Sequence, residues 1–526
     1  MQPIAASPPV RGKWVVASTV MLGTFVSVMD VSIVNVAMPQ MIGTFGVTLD
    51  AITWVAVAYS IAEIILVPMA AWWSTLLGRK RFYLLSLGLF TGASILCGLA
   101  RTLEMMIVAR VLQGIGGGGM IPLAQAVMLE TFPDEERGMA MAVYMMGIVV
   151  APAVGPVVGG WLTDQYGWPW IFYINLPLGI VGLLLATVVL TDPPQLRRGL
   201  TRIDGVGIVL LAVGLTALQL MLERGDQEHW FASAFIVLTA LVALVALVLF
   251  VVWELQVEEP VVNLRVLTNV PFAAGMSLGF LFGLTLFGSI FVLPLFLQRL
   301  QGYAVLDSGI IQLPRTLIIV LMAPIAGSLY TRVDSRVLIG GGVFLIMLGY
   351  LMMARFTLDV GGREMLPALL VGGAGLAFTF STLSAAAMRT MPPQWLAAAS
   401  GLYTLSRRIG GNIGYAFVAS QVTHRTALHR ARLVDHLTPY DGSTLQTLEG
   451  VSARLADSGL PPGITENSAL KLLDGTVNRH ATMMAYNDIF WLMGMFFLLS
   501  VPFLLLLGRR TRPAAASAPP PTPQRS

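Results

Sequence analysis

The sequence predicts an all-α, polytopic membrane protein, on three observations. Long apolar runs recur along most of the 526 residues, charged residues make up only 11% of them, and Lys and Arg are unevenly placed in the short polar breaks between the runs. An ordinary soluble domain carries roughly a quarter charged residues. A chain that is 56% hydrophobic therefore lacks the polar surface to face water on all sides. Open strands cannot satisfy their backbone in a bilayer, whereas a helix of about 20 apolar residues crosses its roughly 30 Å core. Fourteen segments meet that requirement: 14-39, 51-73, 81-100, 105-130, 138-163, 169-191, 203-222, 231-253, 271-298, 308-331, 337-355, 364-388, 396-422 and 484-508.

Taken in order, the first segment follows Arg11 and Lys13 as a signal peptide would. It runs on to Pro39 without a small-residue cleavage site, so it reads as a retained spanning helix. An even number of spans puts both termini on one side. That set of connections holds Arg11, Lys13, Arg79, Lys80, Arg81, Arg137, Arg197, Arg198, Arg509 and Arg510, while the alternate set holds Arg101, Arg224, Arg299, Arg355 and Arg363. Basic loops stay in the cytoplasm. The reading is a multi-pass inner (plasma) membrane protein with a cytoplasmic N-terminus 1-13 and a cytoplasmic tail. The one long connection, 423-483, then lies outside; its turn signals at Pro439-Tyr440-Asp441-Gly442 and Pro461-Pro462-Gly463 suggest a helical hairpin cap. The tail 509-526 is too rich in Pro and Ala to form a core and reads as disordered.

Several classes are disfavoured. A net charge of +4 without a long basic run argues against nucleic acid as a partner. Cys97 is the only cysteine, so no disulfide framework or thiolate cluster is available. His424, His429, His436 and His480 lack a ligand spacing, and no metal site is expected. Gly116 to Gly119 are not followed by Gly-Lys-Ser or Gly-Lys-Thr, as a phosphate loop requires. No Ser/His/Asp set within the spans recommends an enzyme, and no cofactor is implied.

Two echoes at nearly the same offset suggest a duplication. The basic loop at Gly78-Arg79-Lys80-Arg81 is matched after span 10 near Arg332 and Arg336, and Tyr144 of span 5 is matched by Tyr403 of span 13. Transporters often place their substrate between such halves. The expected organisation is a six-helix bundle 14-191, two inserted helices in 203-253, and a second six-helix bundle 271-508 that includes the outer loop.

Acids inside spans are costly by about 2.5–3.5 kcal/mol on insertion scales and are functional candidates by default. Asp30 lies near the middle of span 1, on one stripe with Thr19, Gly23 and Ser27. It reads as a proton site or as a structural acid hydrogen-bonded between helices. Arg110 in span 4 lies at a comparable depth, with Gln113 as a hydrogen-bonding neighbour, and shares a face with Gly114, Gly117 and Ile121. It is either a coupling cation or a fixed structural one. Glu63, midway along span 2, is a second protonatable candidate or a structural residue held by Ser60 or another helix. In span 5, Gly147, Ala151, Gly155 and Gly159 recur every four positions, which makes a stripe for close packing. Pro152 and Pro156 remove backbone donors and bend the helix. That element serves as a hinge or seal between halves, or simply packs closely.

These pieces resemble the major facilitator superfamily, in its fourteen-helix drug:proton antiporter branch. The matching residues are Met29-Asp30 to Pro39, Arg110-Val-Leu-Gln113-Gly114-Ile-Gly116-Gly117, Gly155-Pro156-Val-Val-Gly159-Gly160 and Trp168 to Gly179, with Asn175 and Pro177 among the last. The resemblance implies a proton-coupled antiporter that exports small lipophilic compounds by alternating access. Its proton-coupling residues would be Asp30, Arg110 and Glu63. Gly147, Pro152, Gly155, Pro156, Gly159 and Gly160 would form its antiporter motif, and Gly78, Arg79 and Lys80 its cytoplasmic loop motif. A periplasmic adaptor and an outer-membrane channel are further partners that the resemblance suggests. One departure is that Thr75 and Leu76 stand where such proteins carry an acid and a base, which puts the acid's latch between the halves in question. Candidate substrate contacts are Gln113, with Gln312 and Arg315 of span 10 beside Leu313, Ile318 and Phe380. Arg407 and Arg408 of span 13 add positive charge, which favours neutral or weakly acidic substrates unless these arginines pair with acids elsewhere. The alternative is a transporter of a lipid, siderophore or metabolite, or a non-transporting membrane sensor.

Overall fold

Helix ends follow local chemistry. Thr48 and Thr102 accept from the backbone N–H of Ala51 and Met105 at 3.3 Å each, satisfying donors that the first turn of a helix leaves open. Asn269 and Asp334 cap in the same way. Gly46 and Gly78 end helices at φ 64° and 87°, a region open to glycine and strained for other residues. The computed structural model describes residues 12–192, 203–437, 442–457 and 462–507. Residues 1–11, the tail 509-526, and the Pro439-Tyr440-Asp441 and Pro461 parts of the turn signals lie outside the described residues.

The first half comprises α1 (Lys13–Phe45), α2 (Leu49–Leu77), α3 (Arg79–Gly98), α4 (Leu103–Thr131), α5 (Arg137–Tyr166) and α6 (Trp170–Val189), the last broken at Ile174. Next come α7 (Gly205–Arg224) and α8 (Ala234–Gln256). The second half comprises α9 (Val270–Leu295), α10 (Val305–Leu329), α11 (Ser335–Met353), α12 (Gly362–Met388), α13 (Leu396–Asp435) and α15 (Pro462–Phe496), which continues through a short 3-10 turn to Leu506. Between α13 and α15 lies α14 (Gly442–Asp457).

Thirteen helices among the described residues are long and apolar enough to cross a membrane. The exception among the fourteen expected spans is α13, which carries Arg407 and Arg408 and a polar extension. It nevertheless packs against α9, α15, α2 and α4, in the heart of the bundle. Each half is tied within itself, α1 to α5 and α2 to α4 in the first, α9 to α13 and α11 to α12 in the second. The inserted α7 and α8 pair with each other, and α7 leans on α2 and α13.

The connection 423-483 is largely helical: α13 runs on to Asp435 and α15 begins at Pro462, with α14 against α15. Polar contacts hold the extensions together: Arg425 and His429 meet Asp488 at 2.5 and 2.9 Å, and Arg430 meets Asp474 at 2.7 Å.

Candidate functional site: a buried acid and a closed seam

Asp30 is fully buried, and so is every group around it. Its Oδ2 accepts from Arg110 Nη1 at 2.5 Å, and its Oδ1 accepts from Gln113 Nε2 at 2.9 Å and Asn175 Nδ2 at 2.8 Å. Arg110 Nη1 also donates to Gln113 Oε1 at 2.6 Å, and its Nε donates to the Val55 carbonyl at 3.0 Å. The guanidinium lies 4.3 Å from the Tyr59 ring centre. Ser94 Oγ accepts from Gln113 and Asn175 at 2.7 and 3.2 Å, and Cys97 Sγ reaches Gln113 at 3.5 Å. Breaking a buried pair by removing one partner costs about 3–5 kcal/mol. Three side-chain donors are thus aimed at one carboxylate that is fully buried.

Local sequence explains the assembly. Gly114 and Gly117 let α4 approach α2, since a Cβ there would come within 2.5 Å of the Tyr59 carbonyl and hydroxyl, respectively. Gly116 does the same towards α3, where a Cβ would meet the Phe90 nitrogen at 2.5 Å. The glycine face expected of span 4 thus brings Arg110 and Gln113 to Asp30. The Thr19–Asp30 stripe of α1 points into this half: Ser27 bonds Tyr59 at 3.0 Å, and Tyr83 donates to the Thr19 carbonyl at 2.9 Å. Gln113 is 0% exposed, and its polar atoms bond Arg110, Asp30, Ser94 and Cys97.

Glu63 is held by neither Ser60 nor its own half. It pairs with Arg408 of α13 at 2.6 Å, across the two halves. Around it the halves are closed at the end bearing the termini. Gln125 donates to Ser384 at 2.6 Å and accepts from Thr404 at 3.3 Å. A Cβ at Gly138 would lie 2.7 Å from the Gly327 carbonyl, and one at Gly401 3.2 Å from the Val67 carbonyl. Glu63–Arg408 lies further from the termini than these contacts.

Arg408 is therefore no unpaired cation. Arg407 is 4% exposed and lies 4.8 Å from the Phe380 ring centre, beside Tyr144. Leu313 is 42% exposed. Of the positive patch expected in the second half, Arg315 and Arg407 have no ion-pair partner among the described residues, and Arg315 rests against Gly373 of α12. Gln312 donates to the Ser308 carbonyl of its own helix at 3.1 Å.

The span 5 stripe packs on α1 within the first half. A Cβ at Gly155 would fall 1.9 Å from Ser32 Oγ, one at Gly159 2.5 Å from Ile33, and one at Gly147 3.0 Å from Met21. Gly160 has room, with Val36 at 3.9 Å. α5, which carries Pro152 and Pro156 within its length, also meets α10 and α12 of the second half. In the loop motif, Gly78 turns the chain so that Arg79 pairs with Glu130 at the end of α4, and Lys80 donates through its backbone to Asp192 at 3.0 Å. Thr75 bonds the Ala71 carbonyl of its own helix at 3.0 Å.

Sequence reading missed Ser94 and Gln125, which are single hydroxyl and amide groups in apolar helices with no spacing to mark them. Asn175 stood inside a quoted motif without a role. Arg408 had been read without its partner, because a pair across two halves leaves no trace in local spacing.

With this geometry in view, comparisons with known proteins fix the class. A profile of the Major Facilitator Superfamily matches residues 20–415. The chain belongs to that superfamily of membrane transporters and, within it, groups with the EmrB-type multidrug exporters. The multidrug export protein EmrB of Escherichia coli (strain K12) is 33% identical over 498 residues, covering 93% of this chain and 94% of that protein. The fatty acid resistance protein FarB of Neisseria gonorrhoeae is 32% identical over 504 residues, 95% and 97% of the two chains. Among solved structures, the human organic anion transporter MFSD10 shares the fold with a TM-score of 0.60 at 14% identity, over 95% of this chain and 100% of that one.

Proposed function

We propose that the protein is a proton-coupled antiporter that exports small lipophilic compounds from the cytoplasm by alternating access, with Asp30 as its proton carrier. The observation that carries this reading is the Asp30–Arg110–Gln113–Asn175 cluster, a single fully buried carboxylate held by three donors. Such an acid gains or loses a proton only when the packing around it changes, which links protonation to conformation. Relatives named as multidrug export and fatty acid resistance proteins support the export direction and a broad lipophilic substrate range.

The driving force is adequate. One proton moving through 100 mV supplies about 2.3 kcal/mol, and one pH unit adds about 1.4 kcal/mol. Together these sustain a roughly few-hundred-fold gradient of a neutral solute. Arg315 of α10, which pairs with no acid among the described residues, favours neutral or weakly acidic compounds over permanent cations. The fatty acid resistance relative agrees with that preference.

In this reading the termini and the closed seam face the cytoplasm, and α14 faces outward from an inner membrane. An adaptor and outer-membrane channel receive the cargo there in a two-membrane cell. Arg110, Glu63 and the small-residue stripe of α5 serve coupling and helix movement. A panel of toxic compounds, tested on cells with and without the protein, checks the function. Resistance to phenolic and carboxylate compounds that disappears in Asp30→Asn is expected; resistance confined to permanent cations and unaltered by Arg315→Ala contradicts the substrate class. Gly450→Cys in a Cys97→Ser background should react with an impermeant maleimide in intact cells, and labelling only after lysis contradicts the orientation.

A further inference from the structure

Asp30 sits among donors, which suits a carboxylate but not a carboxylic acid. Once protonated, its O–H needs an acceptor, and the neighbours differ in whether they can supply one. Arg110 is a donor only. The carbonyl of Gln113 is already taken by Arg110 Nη1 at 2.6 Å and Cys97 at 3.5 Å, so turning that amide would face its NH2 towards the guanidinium. Ser94 Oγ already accepts from Gln113 and Asn175. The remaining acceptor is Asn175 Oδ1, which is buried and has no hydrogen-bond partner, while the other end of the same amide donates to Asp30 at 2.8 Å. A buried carbonyl oxygen left unpaired is costly. Here the cost belongs to one protonation state.

We propose that Asn175 is a positioning residue whose side-chain amide turns over when Asp30 takes up a proton, donating through Nδ2 to the carboxylate and accepting through Oδ1 from the acid. The torsion involved joins an sp³ to an sp² carbon, is broad and roughly two-fold, and needs no backbone movement. The proton comes from water as the site opens; no other bond is made or broken. The remaining titratable groups that face Asp30 are Arg110 from α4, Tyr59 and Glu63 from α2, and Cys97 from α3. From α6 the acid meets Asn175 itself, while the small-residue stripe of α5 packs on Met21, Ser32 and Ile33 of α1. Because Asn175 opens the continuous part of α6, just after the break at Ile174, the amide is anchored at a fixed point rather than in a mobile loop.

This inference rests on Asp30 being the proton carrier, and infrared difference titration of the purified full-length protein tests the two separately. A carboxylic acid C=O band that appears on acidification and is lost in Asp30→Asn identifies the carrier. Its absence in the wild type removes both the carrier and the role of Asn175. With the band present, Asn175→Leu leaves the acid O–H without an acceptor, while Arg110 and Gln113 still serve the carboxylate. The expected result is a proton affinity lowered about tenfold or more, with the band moved to higher frequency, and a smaller change in Asn175→Ser, whose hydroxyl both donates and accepts. A titration midpoint in Asn175→Leu equal to or above that of the wild type overturns the proposal and leaves the carrier in place. Should Asn175→Leu fail to fold, isotope-labelled asparagine in the wild type gives a second readout. A side-chain amide band that shifts as Asp30 titrates and is missing from Asn175→Ser supports the turnover, and an amide band that stays still rejects it.

Discussion

At the scale of residues, the Asp30 cluster divides its work by chemistry. Arg110 supplies charge and three directed contacts, to Asp30, Gln113 and the Val55 carbonyl; a lysine ammonium can replace the charge but not the planar fork. Arg110→Lys should insert and fold yet lose most coupled efflux. Arg110→Ala should in addition lower thermal stability, because it strands a buried carboxylate at a cost of about 3–5 kcal/mol. Melting temperature and efflux measured on the same preparations check this, and a fully active lysine variant would count against a guanidinium-specific role. Asp30 and Arg110 could be matched from sequence because depth along a helix is simple arithmetic at 1.5 Å per residue. Asn175 and Ser94 could not, since a side chain's direction across three packed helices depends on rotation that a single polar residue does not encode.

At the scale of elements, helix-on-helix distance is set by glycine and alanine stripes, and these were readable because a period of four survives in the sequence. What the period could not reveal was the partner. The Gly147–Gly159 stripe packs on α1 in the same half, while α5 also meets α10 and α12 across the seam. The prediction at this scale is a contrast. Gly155→Ala places a methyl 1.9 Å from Ser32 Oγ and should destabilise the protein by roughly 1–3 kcal/mol through overpacking, whereas Gly160→Ala, with 3.9 Å to Val36, should be tolerated. Thermal unfolding in detergent that ranks the two equally would show that α1 and α5 are not held at this distance. The α13 helix taught the reverse lesson: hydropathy understates it because Arg407 and Arg408 are paid for by Phe380, Tyr144 and Glu63 from other helices.

At the scale of the whole molecule, two bundles meet at the end bearing the termini, through Gly138–Gly327, Gln125–Ser384 and Glu63–Arg408. Alternation requires these contacts to separate. Thr75 bonds within its own helix, and the contacts that join the halves here include the Glu63–Arg408 pair and the Gly138–Gly327 crossing. A cysteine pair at Gly138→Cys and Gly327→Cys in a Cys97→Ser background should cross-link and stop efflux, with activity returning on reduction. Efflux that continues in the cross-linked protein would mean that this seam stays shut throughout the cycle. Coupling itself is tested most directly in liposomes with an acidic interior, loaded with a pH dye and supplied with a fluorescent carboxylate antibiotic outside. Passive partition excludes a weak acid from such an interior, so uptake reports antiport. Wild-type protein should accumulate the probe while the interior turns alkaline, and Asp30→Asn should do neither; accumulation without proton movement, or an Asp30→Asn variant as active as the wild type, would contradict proton exchange through the buried acid.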